Sequence, residues 1–366
     1  MGNTKARFSF LTALIIAPAL IAGACGSDDG DDAAATATTV TAATAATATT
    51  AGTGEAAAGS ADYEQYLGNP SSDQCAGRSY DFGFDIFSDT ESFALATVNG
   101  FQAVADTMGC VNIDVASDDL DPLRAVENVE IFAAQGKDGV IIANVIEAAG
   151  PGIVDVLQRN DLDGLAIFVA APGVTLIEVD LGNAGLRAGE ALASAAAAWA
   201  GEDIHLIVGT FDEAGQTTID LTDGIVEGVT AVFPDAQVIP IVTAADPPTA
   251  NANTAAVLAM VPEGGKVLVA SVNDELTLAM FEALRTAGHS GDNILAVGQG
   301  ASQLGSVCDG TLHGSVAYFP ENYGKYAIPA LIGQINGAVL PGFIELPTQV
   351  LTADNVGDFY PESACG

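Results

Sequence analysis

The alternation of short apolar runs with alanine-rich stretches constrains this chain more than any other feature. From Tyr80 onward, runs rich in Val and Ile end in Gly, Asn or Asp, and a helix-forming segment follows. Unbroken apolar runs are typical of parallel strands covered on both faces. They predict strands at Tyr80–Ile86, Val111–Val115, Gly139–Ala143, Leu165–Val169, Leu176–Val179, Ile204–Gly209, Gln237–Val242, Lys266–Ala270, Asn293–Val297, Gly314–Ala317 and Leu346–Leu351.

The segments between these runs carry helix-boundary residues. Thr90 or Ser92 can cap the first predicted helix, and Gly109 ends it. The second opens with Asp121-Pro122, a cap followed by a proline in the first turn. Strand–helix alternation predicts an α/β fold with doubly wound parallel sheets, and two series of about five units predict two such sheets. Ligands of these folds bind beyond the carboxyl ends of the strands, so we expect a site between the sheets.

The charge balance excludes one class of partner. The 366 residues include 10 Lys+Arg and 47 Asp+Glu, which gives a formal net charge of −37. Nucleic-acid binding requires a basic surface that displaces counterions from phosphates. So acidic a chain is not expected to bind nucleic acid or an anionic membrane surface.

The N-terminus has the pattern of an export signal. Lys5 and Arg7 precede an apolar stretch, residues 8–22, that is too short for a comfortable transmembrane helix. Small residues before Cys25 resemble a bacterial lipobox, which implies a lipoprotein signal peptide at residues 1–24 and acylation of Cys25. The alternative is ordinary cleavage after Ala24, which leaves Cys25 free. We expect an extracytoplasmic protein that is anchored to the membrane by this lipid alone.

Residues 25–74 are rich in Ala, Thr and Asp, and are expected to form a disordered tether. The cysteines after this segment are Cys75, Cys110, Cys308 and Cys365, an even number that suggests disulfides in an exported protein. Four cysteines allow three pairings. If the first two strands are parallel neighbours, Cys75–Cys110 is favoured, with Cys308–Cys365 by remainder; four buried thiols are the alternative.

Several motifs recur in an order that resembles one family, the ribose/galactose-type (type I) periplasmic sugar-binding proteins of ABC transporters. The resemblance spans about Tyr80 to Leu351. It is carried by residues 87–93, Asp138-Gly139-Val140-Ile141-Ile142-Ala143-Asn144, Val179-Asp180-Leu181-Gly182-Asn183-Ala184-Gly185, residues 223–228, Ala270-Ser271-Val272-Asn273-Asp274-Glu275 and Gly298-Gln299-Gly300.

The resemblance implies two lobes joined by three crossings, near Asp180, Tyr318 and Glu345. The N-terminal lobe would then comprise residues 75–180 with 319–345, and the C-terminal lobe residues 181–318 with 346–366. A protein of this kind binds a small solute in the cleft and presents it to an ABC permease, without a cofactor or any chemical step. We expect a monomer.

Candidate ligand-binding side chains follow the predicted strands. Carboxylates and amides there can bond hydroxyl groups, and an aromatic ring can pack on the apolar face of a sugar. The alternative roles are helix capping for Asp274, core packing for Phe93 and loop capping for Asn144; Asn253 is an alternative to Asn251. The candidates are Asp89, Thr90, Phe93, Asn144, Gln216, Thr217, Asp246, Asn251, Asp274, Gln299 and Tyr318.

The chain departs from the family pattern where arginines are expected, at residues 169–172 and 219–222, and Gly300 stands in place of an aspartate. An acidic pocket without arginine would serve an anion poorly. A sugar or polyol is the expected ligand, and an amine is the alternative. Three isolated histidines and the lack of a Walker motif argue against a metal site and an enzyme. The rival function is a ligand-binding ectodomain that signals to a membrane receptor.

Overall fold

Two six-stranded sheets carry the fold in this computed structural model, which describes residues 63 to 365. The described residues all fall within one compact unit of the chain. The strands are β1 (Tyr80–Ile86), β2 (Val111–Ser117), β3 (Gly139–Ala143), β4 (Asp163–Ile167), β5 (Thr175–Val179), β6 (Ile204–Thr210), β7 (Gln237–Val242), β8 (Lys266–Ala270), β9 (Ile294–Gln299), β10 (Gly314–Ala317), β11 (Phe343–Leu346) and β12 (Gln349–Leu351).

The order of strands confirms two doubly wound α/β lobes. The first sheet is wholly parallel and has the order β11-β5-β4-β3-β1-β2. The second has the order β12-β10-β9-β8-β6-β7 and is parallel except for β12, which pairs antiparallel with β10. We call each sheet with its packed helices the first and the second lobe. The chain crosses between the sheets three times, after β5, after β10 and after β11.

The last predicted strand is wrong in one respect. Leu346–Leu351 is not one strand, because β11 ends in the first sheet at Leu346 and β12 starts in the second at Gln349. Pro347 lies between them and has no N–H to continue a ladder. The apolar pattern alone could not reveal that the chain changes sheets here.

Helices connect the strands and cover both sheets. The first helix is capped by neither Thr90 nor Ser92 but by Glu91, which lies between them. The Glu91 Oε2 accepts a hydrogen bond from the Ala94 N–H at 2.8 Å. Asp121 caps the second helix as predicted. The helices are α1 (Ser92–Met108), α2 (Pro122–Gln135), α3 (Gly150–Asn160), α4 (Leu181–Ala195), α5 (Gln216–Val232), α6 (Pro247–Val257), α7 (Asp274–Thr286), α8 (Leu304–Cys308), α9 (Gly324–Ile335) and α10 (Val356–Phe359).

Helices α4 and α5 of the second lobe are in backbone contact. A Cβ placed on Gly185 would lie 1.9 Å from the Leu221 carbonyl oxygen, and one on Gly228 would lie 2.5 Å from the Leu186 carbonyl oxygen. Such distances are far inside van der Waals contact, so only glycine permits this approach. The pair therefore forms a tightly packed block next to the first crossing.

Two disulfides secure the described chain, Cys75–Cys110 and Cys308–Cys365. This is the pairing that parallel, neighbouring β1 and β2 favour. Residues 63–74, assigned to the tether by sequence, instead form two 3-10 turns against α9, and Tyr63 is buried there at Gly333. The predicted tether therefore extends too far along the chain. Short 3-10 turns with one buried aromatic residue produce no periodic pattern of apolar residues that the sequence could reveal.

The predicted signal peptide, the lipidation site Cys25 and the rest of the tether lie outside the described residues. Between residues 63 and 365, no helix combines the length and the apolar character that crossing a bilayer requires.

Candidate functional site

A cavity of about 470 Å³ lies between the two lobes. Its wall is built from the residues that directly follow parallel strands, because the carboxyl ends of both sheets face it. Phe87 follows β1, Phe168 follows β4, Phe211 follows β6, and Tyr318 follows β10. This is where open α/β sheets place ligands.

Aromatic rings form much of the wall. The Phe93 ring centroid lies 5.6 Å from that of Phe168 and 6.2 Å from that of Tyr318, and Phe87 meets Phe168 edge-on at 5.7 Å. Phe168 adopts a left-handed backbone conformation, with φ of 74°. A bulky residue rarely takes this conformation, which costs about 1–3 kcal/mol and persists only where the surroundings impose it.

Glu178 brings a buried carboxylate to the same wall. It is the fourth residue of β5 and only 2% exposed. Its Oε1 accepts hydrogen bonds from the Tyr323 hydroxyl at 2.5 Å and from the Val179 N–H at 2.7 Å. Burial raises the pKa of Glu178 to about 7, and these hydrogen bonds partly oppose the rise. The carboxylate therefore titrates near neutral pH.

Gln299 and Tyr318 present a polar pair from the second lobe. The Tyr318 hydroxyl donates to Gln299 Oε1 at 2.8 Å. Gln299 is fully buried, and its Nε2 has no hydrogen-bond partner in the described structure. The Thr217 hydroxyl, at the start of α5, is likewise buried without a partner. A buried polar group without a partner is costly, so both atoms are available to a bound molecule.

Direct contacts join the lobes around the cavity. Ser92 Oγ in α1 donates to Glu275 Oε1 in α7 at 2.9 Å. On another side, the carboxylate of Glu147 lies against Gly215, where an added Cβ would come 2.0 Å from Glu147 Oε2. The described conformation is therefore one in which the two lobes are closed upon each other.

Five of the side chains chosen from sequence line this cavity: Thr90, Phe93, Thr217, Gln299 and Tyr318. They come from both lobes, and the fold brings them together although more than 200 residues separate Thr90 from Gln299 along the chain.

Two buried candidates do not reach the wall. Asp274 is the first residue of α7, and its carboxylate accepts from Ser315 Oγ at 2.7 Å and from the Gln303 N–H at 3.0 Å. Burial raises its pKa to about 6. Asn144 bonds both ways with its own loop, through the Ile146 carbonyl and N–H. Both side chains fix the loops that shape the cavity.

The remaining candidates cap a helix, join neighbouring elements or face solvent. Asp246 caps α6 by accepting from the Thr249 N–H, Asn251 donates to the Ala279 carbonyl, and Asn253 donates to the Val242 carbonyl. Gln216 bonds Asp220 on the exposed start of α5, and Asp89 is exposed. None of these lines the cavity.

Sequence reasoning did not select most of the lining residues, among them Phe87, Glu91, Phe168, Glu178 and Glu275. One signal was present for Glu178, because a charged residue interrupts an otherwise apolar run, Leu176-Ile177-Glu178-Val179. A carboxylate inside a strand that is covered on both faces must be buried, and such a group indicates function.

The wall offers shape, aromatic faces, carboxylates and a few hydrogen-bonding groups. Between residues 63 and 365, no group of three or more His, Cys, Asp or Glu side chains is placed to hold a metal ion. The arrangement is suited to enclosing a small organic molecule.

Solved structures of solute-binding proteins share this fold. One is an ABC transporter solute-binding protein from Actinobacillus succinogenes with bound D-allose, at 16% identity and a TM-score of 0.67, covering 76% of this chain and 100% of that chain. A second, from Mycobacterium smegmatis in complex with β-D-fucofuranose, has 18% identity and a TM-score of 0.68, and the match covers 78% of this chain and 97% of that chain. A third is the fructose-binding periplasmic domain of a hybrid two-component system. It has 18% identity and a TM-score of 0.67, and the match covers 78% of this chain and 94% of that chain.

No curated protein sequence matches this chain. A family model described as a periplasmic binding protein domain matches residues 82–338, which include the strands from both sheets that surround the cavity and most of the helices between them. This chain therefore belongs to the periplasmic binding protein domain family.

Proposed function

We propose that this chain is an extracytoplasmic solute-binding lipoprotein that captures a small polar organic solute between its lobes and delivers it to an ABC importer. The cavity of about 470 Å³ at the carboxyl ends of both sheets carries the proposal. Sugars are the ligands named for several proteins of the same fold, and a sugar, polyol or amine fits a wall that lacks arginine. The protein performs no chemistry on the solute.

The lobes move as units in this proposal. Residues 75–180 with 319–345 form one, and residues 181–318 with 346–366 form the other. Bound solute contacts Thr90, Phe93, Thr217, Gln299 and Tyr318, and holds the lobes together by bridging them. Two disulfides support an oxidising compartment outside the cytoplasm.

A thermal-shift screen against sugars, polyols and amines tests solute binding, because a ligand that binds only the folded state raises the melting temperature. Phe93→Ala should abolish the response to the solute found, and Phe359→Ala, on a partly exposed ring outside the cavity, should retain it. Small-angle scattering should show a more compact particle with solute. A solute that is converted to product would contradict the proposal.

Membrane anchoring through Cys25 is tested by labelling cells with a fatty-acid analogue. We expect label on the wild-type protein and none on Cys25→Ser. Unlabelled wild type would mean that the lipid anchor is wrong, without bearing on the cavity.

Sensing is the second candidate function, since a domain of a two-component system shares this fold. Reconstitution in vesicles with a candidate permease and its ATPase separates the two functions. Solute-dependent ATP hydrolysis supports import, whereas solute-dependent signalling through a kinase, with no ATPase stimulation, supports sensing.

A further inference from the structure

The charge of the cavity wall has one sign. Glu91, Glu178 and Glu275 line it, and none of the described lining residues is Lys, Arg or His. Charges on a wall of low polarity interact more strongly with a bound molecule than charges in water do. The overall excess of acid, −37, adds an attraction for cations at longer range.

The protein does not neutralise these carboxylates with its own cations. Among the described residues, no ion pair involves any of the three. Their hydrogen-bond donors are neutral. These donors are the Tyr323 hydroxyl and the Val179 N–H for Glu178, the Ser92 hydroxyl and the Gln303 side-chain amide for Glu275, and the Ala94 N–H for Glu91. Of the three, only Glu178 is buried. Burial raises its pKa to about 7, so without a positive group it is partly protonated, and a bound cation would favour its charged form.

The aromatic rings favour the same kind of ligand. Phe87, Phe93, Phe168 and Tyr318 pack against one another and form one continuous aromatic side of the cavity. A sugar can stack on one or two of these rings, but the phenylalanine rings offer no hydrogen-bond partner to its hydroxyl groups. An alkylammonium group instead gains from each ring, because the electron-rich faces attract a cation.

One buried donor indicates a second feature of the ligand. Gln299 is fully buried and lines the cavity, and its Nε2 has no partner in the described structure. A donor in this position is satisfied by an oxygen acceptor on the bound molecule. The ligand therefore combines a positive group with a nearby hydroxyl or carbonyl oxygen.

Resting on the proposed function, we propose that the solute is a small organic cation. Its ammonium group lies among the aromatic rings beside the Glu178 carboxylate, and its oxygen accepts a hydrogen bond from Gln299 Nε2. This assigns the substrate class from the lining residues of this chain.

Calorimetric titration with choline and with its uncharged carbon isostere, 3,3-dimethylbutan-1-ol, tests the inference in buffered saline. The two have the same shape and hydroxyl group and differ in charge. Choline should bind at least about tenfold more tightly, which corresponds to about 1.4 kcal/mol. D-allose and glycerol, titrated alongside, represent neutral sugars and polyols.

Glu178→Gln should weaken choline binding by at least about tenfold, which is ~1.4 kcal/mol, and leave the isostere unchanged, since the amide oxygen can still accept from Tyr323. The exposed change Glu227→Gln is the matched control and should have no effect. If Glu178→Gln does not fold, as judged by circular dichroism, Glu275→Gln replaces it, with the same expected direction.

The outcomes are distinct. Equal affinity for choline and its isostere, or binding of D-allose or glycerol without any response to choline, overturns the cation and leaves the solute-binding function intact. No binding of any of the four compounds overturns the cation, and an empty result in the wider screen overturns solute binding as well.

Discussion

Ser92 and Glu275 connect the two lobes directly, by a hydrogen bond of 2.9 Å between Ser92 Oγ and Glu275 Oε1. Ser92 belongs to the first turn of α1 and Glu275 to the first turn of α7. Each helix begins at the cavity, so the bond forms only when the lobes come together. It therefore stabilises the closed conformation at the expense of the open one.

Ser92→Ala should weaken the binding of the solute identified by the screen. A hydrogen bond to a charged acceptor contributes about 1.5–3 kcal/mol, and partial exposure places this one near the lower end, at roughly tenfold in affinity. Calorimetric titration measures the loss. Ser194→Ala, at an exposed site on α4, should bind the solute as the wild type does. An equal loss of affinity in both variants would contradict a role for the Ser92–Glu275 hydrogen bond in holding the lobes together.

Acid should stabilise the fold. Asp85 and Asp118 are both fully buried and interact with each other, and burial raises the pKa of each; the pKa values of Glu178 and Asp274 are raised to about 7 and about 6. Because a raised pKa means that the folded state holds its protons more tightly, stability is greatest at low pH and falls as pH rises through these values.

Asp85→Asn should flatten this dependence. The Asp85 carboxyl accepts from Asn128 at 2.7 Å, and an amide there imitates the protonated acid beside Asp118. The wild type should lose up to ~1.4 kcal/mol per pH unit for each such proton between about pH 5 and pH 8. Urea unfolding at several pH values measures the slope. The exposed change Asp106→Asn should leave it unchanged, and equal slopes in all three proteins would exclude the Asp85–Asp118 pair as the cause.

If a cation binds beside Glu178, the affinity for choline should increase as the pH rises from about 6 to about 8. The titratable side chains facing Glu178 are Tyr318 and Tyr323, whose pKa values burial raises well above the ordinary value, so both stay neutral. Below its pKa of about 7, Glu178 must release a proton before it can pair with a cation. Titrations in buffers of different ionisation enthalpy measure that release, and Glu178→Gln should abolish it. A proton uptake would contradict the expected sign.

Gly185→Ala should destabilise the second lobe. The new methyl group would meet the Leu221 carbonyl oxygen at 1.9 Å, and separating two helices that are in backbone contact costs about 1–3 kcal/mol or more. Gly305→Ala is the matched control, because no atom lies within 4 Å of its Cβ and its helix benefits from alanine. Thermal unfolding should therefore separate the two changes, with Gly305→Ala at or above the wild-type melting temperature.

The fold was predictable because most of its strands coincide with a short apolar run in the sequence. Strands β1, β3, β7, β8 and β10 lie where the apolar runs place them. The exchange of sheets between β11 and β12 was not predictable, since both flank Pro347 and share one apolar pattern. Position along the chain does not encode which sheet a short strand joins.

The site was predictable only as a set of loops. Residues after strands reach the cavity edge, but a polar side chain there can also bond its own backbone, as Asn144 and Asp246 do. Local caps and ligand contacts use the same residue types, and only the three-dimensional course of the loop separates them. Glu178 was not predicted because it lies inside strand β5, whereas the candidates were chosen among residues that follow the strands.

The left-handed backbone of Phe168 limits how this position can vary. Glycine would relax the peptide there, yet it would remove the ring that touches Phe87 and Phe93 and open the chamber on that side. A substitution at this single position would thus relieve backbone strain and, at the same time, enlarge the space for a bound molecule. Homologues with a small residue here would be the natural place to look for bulkier cargo.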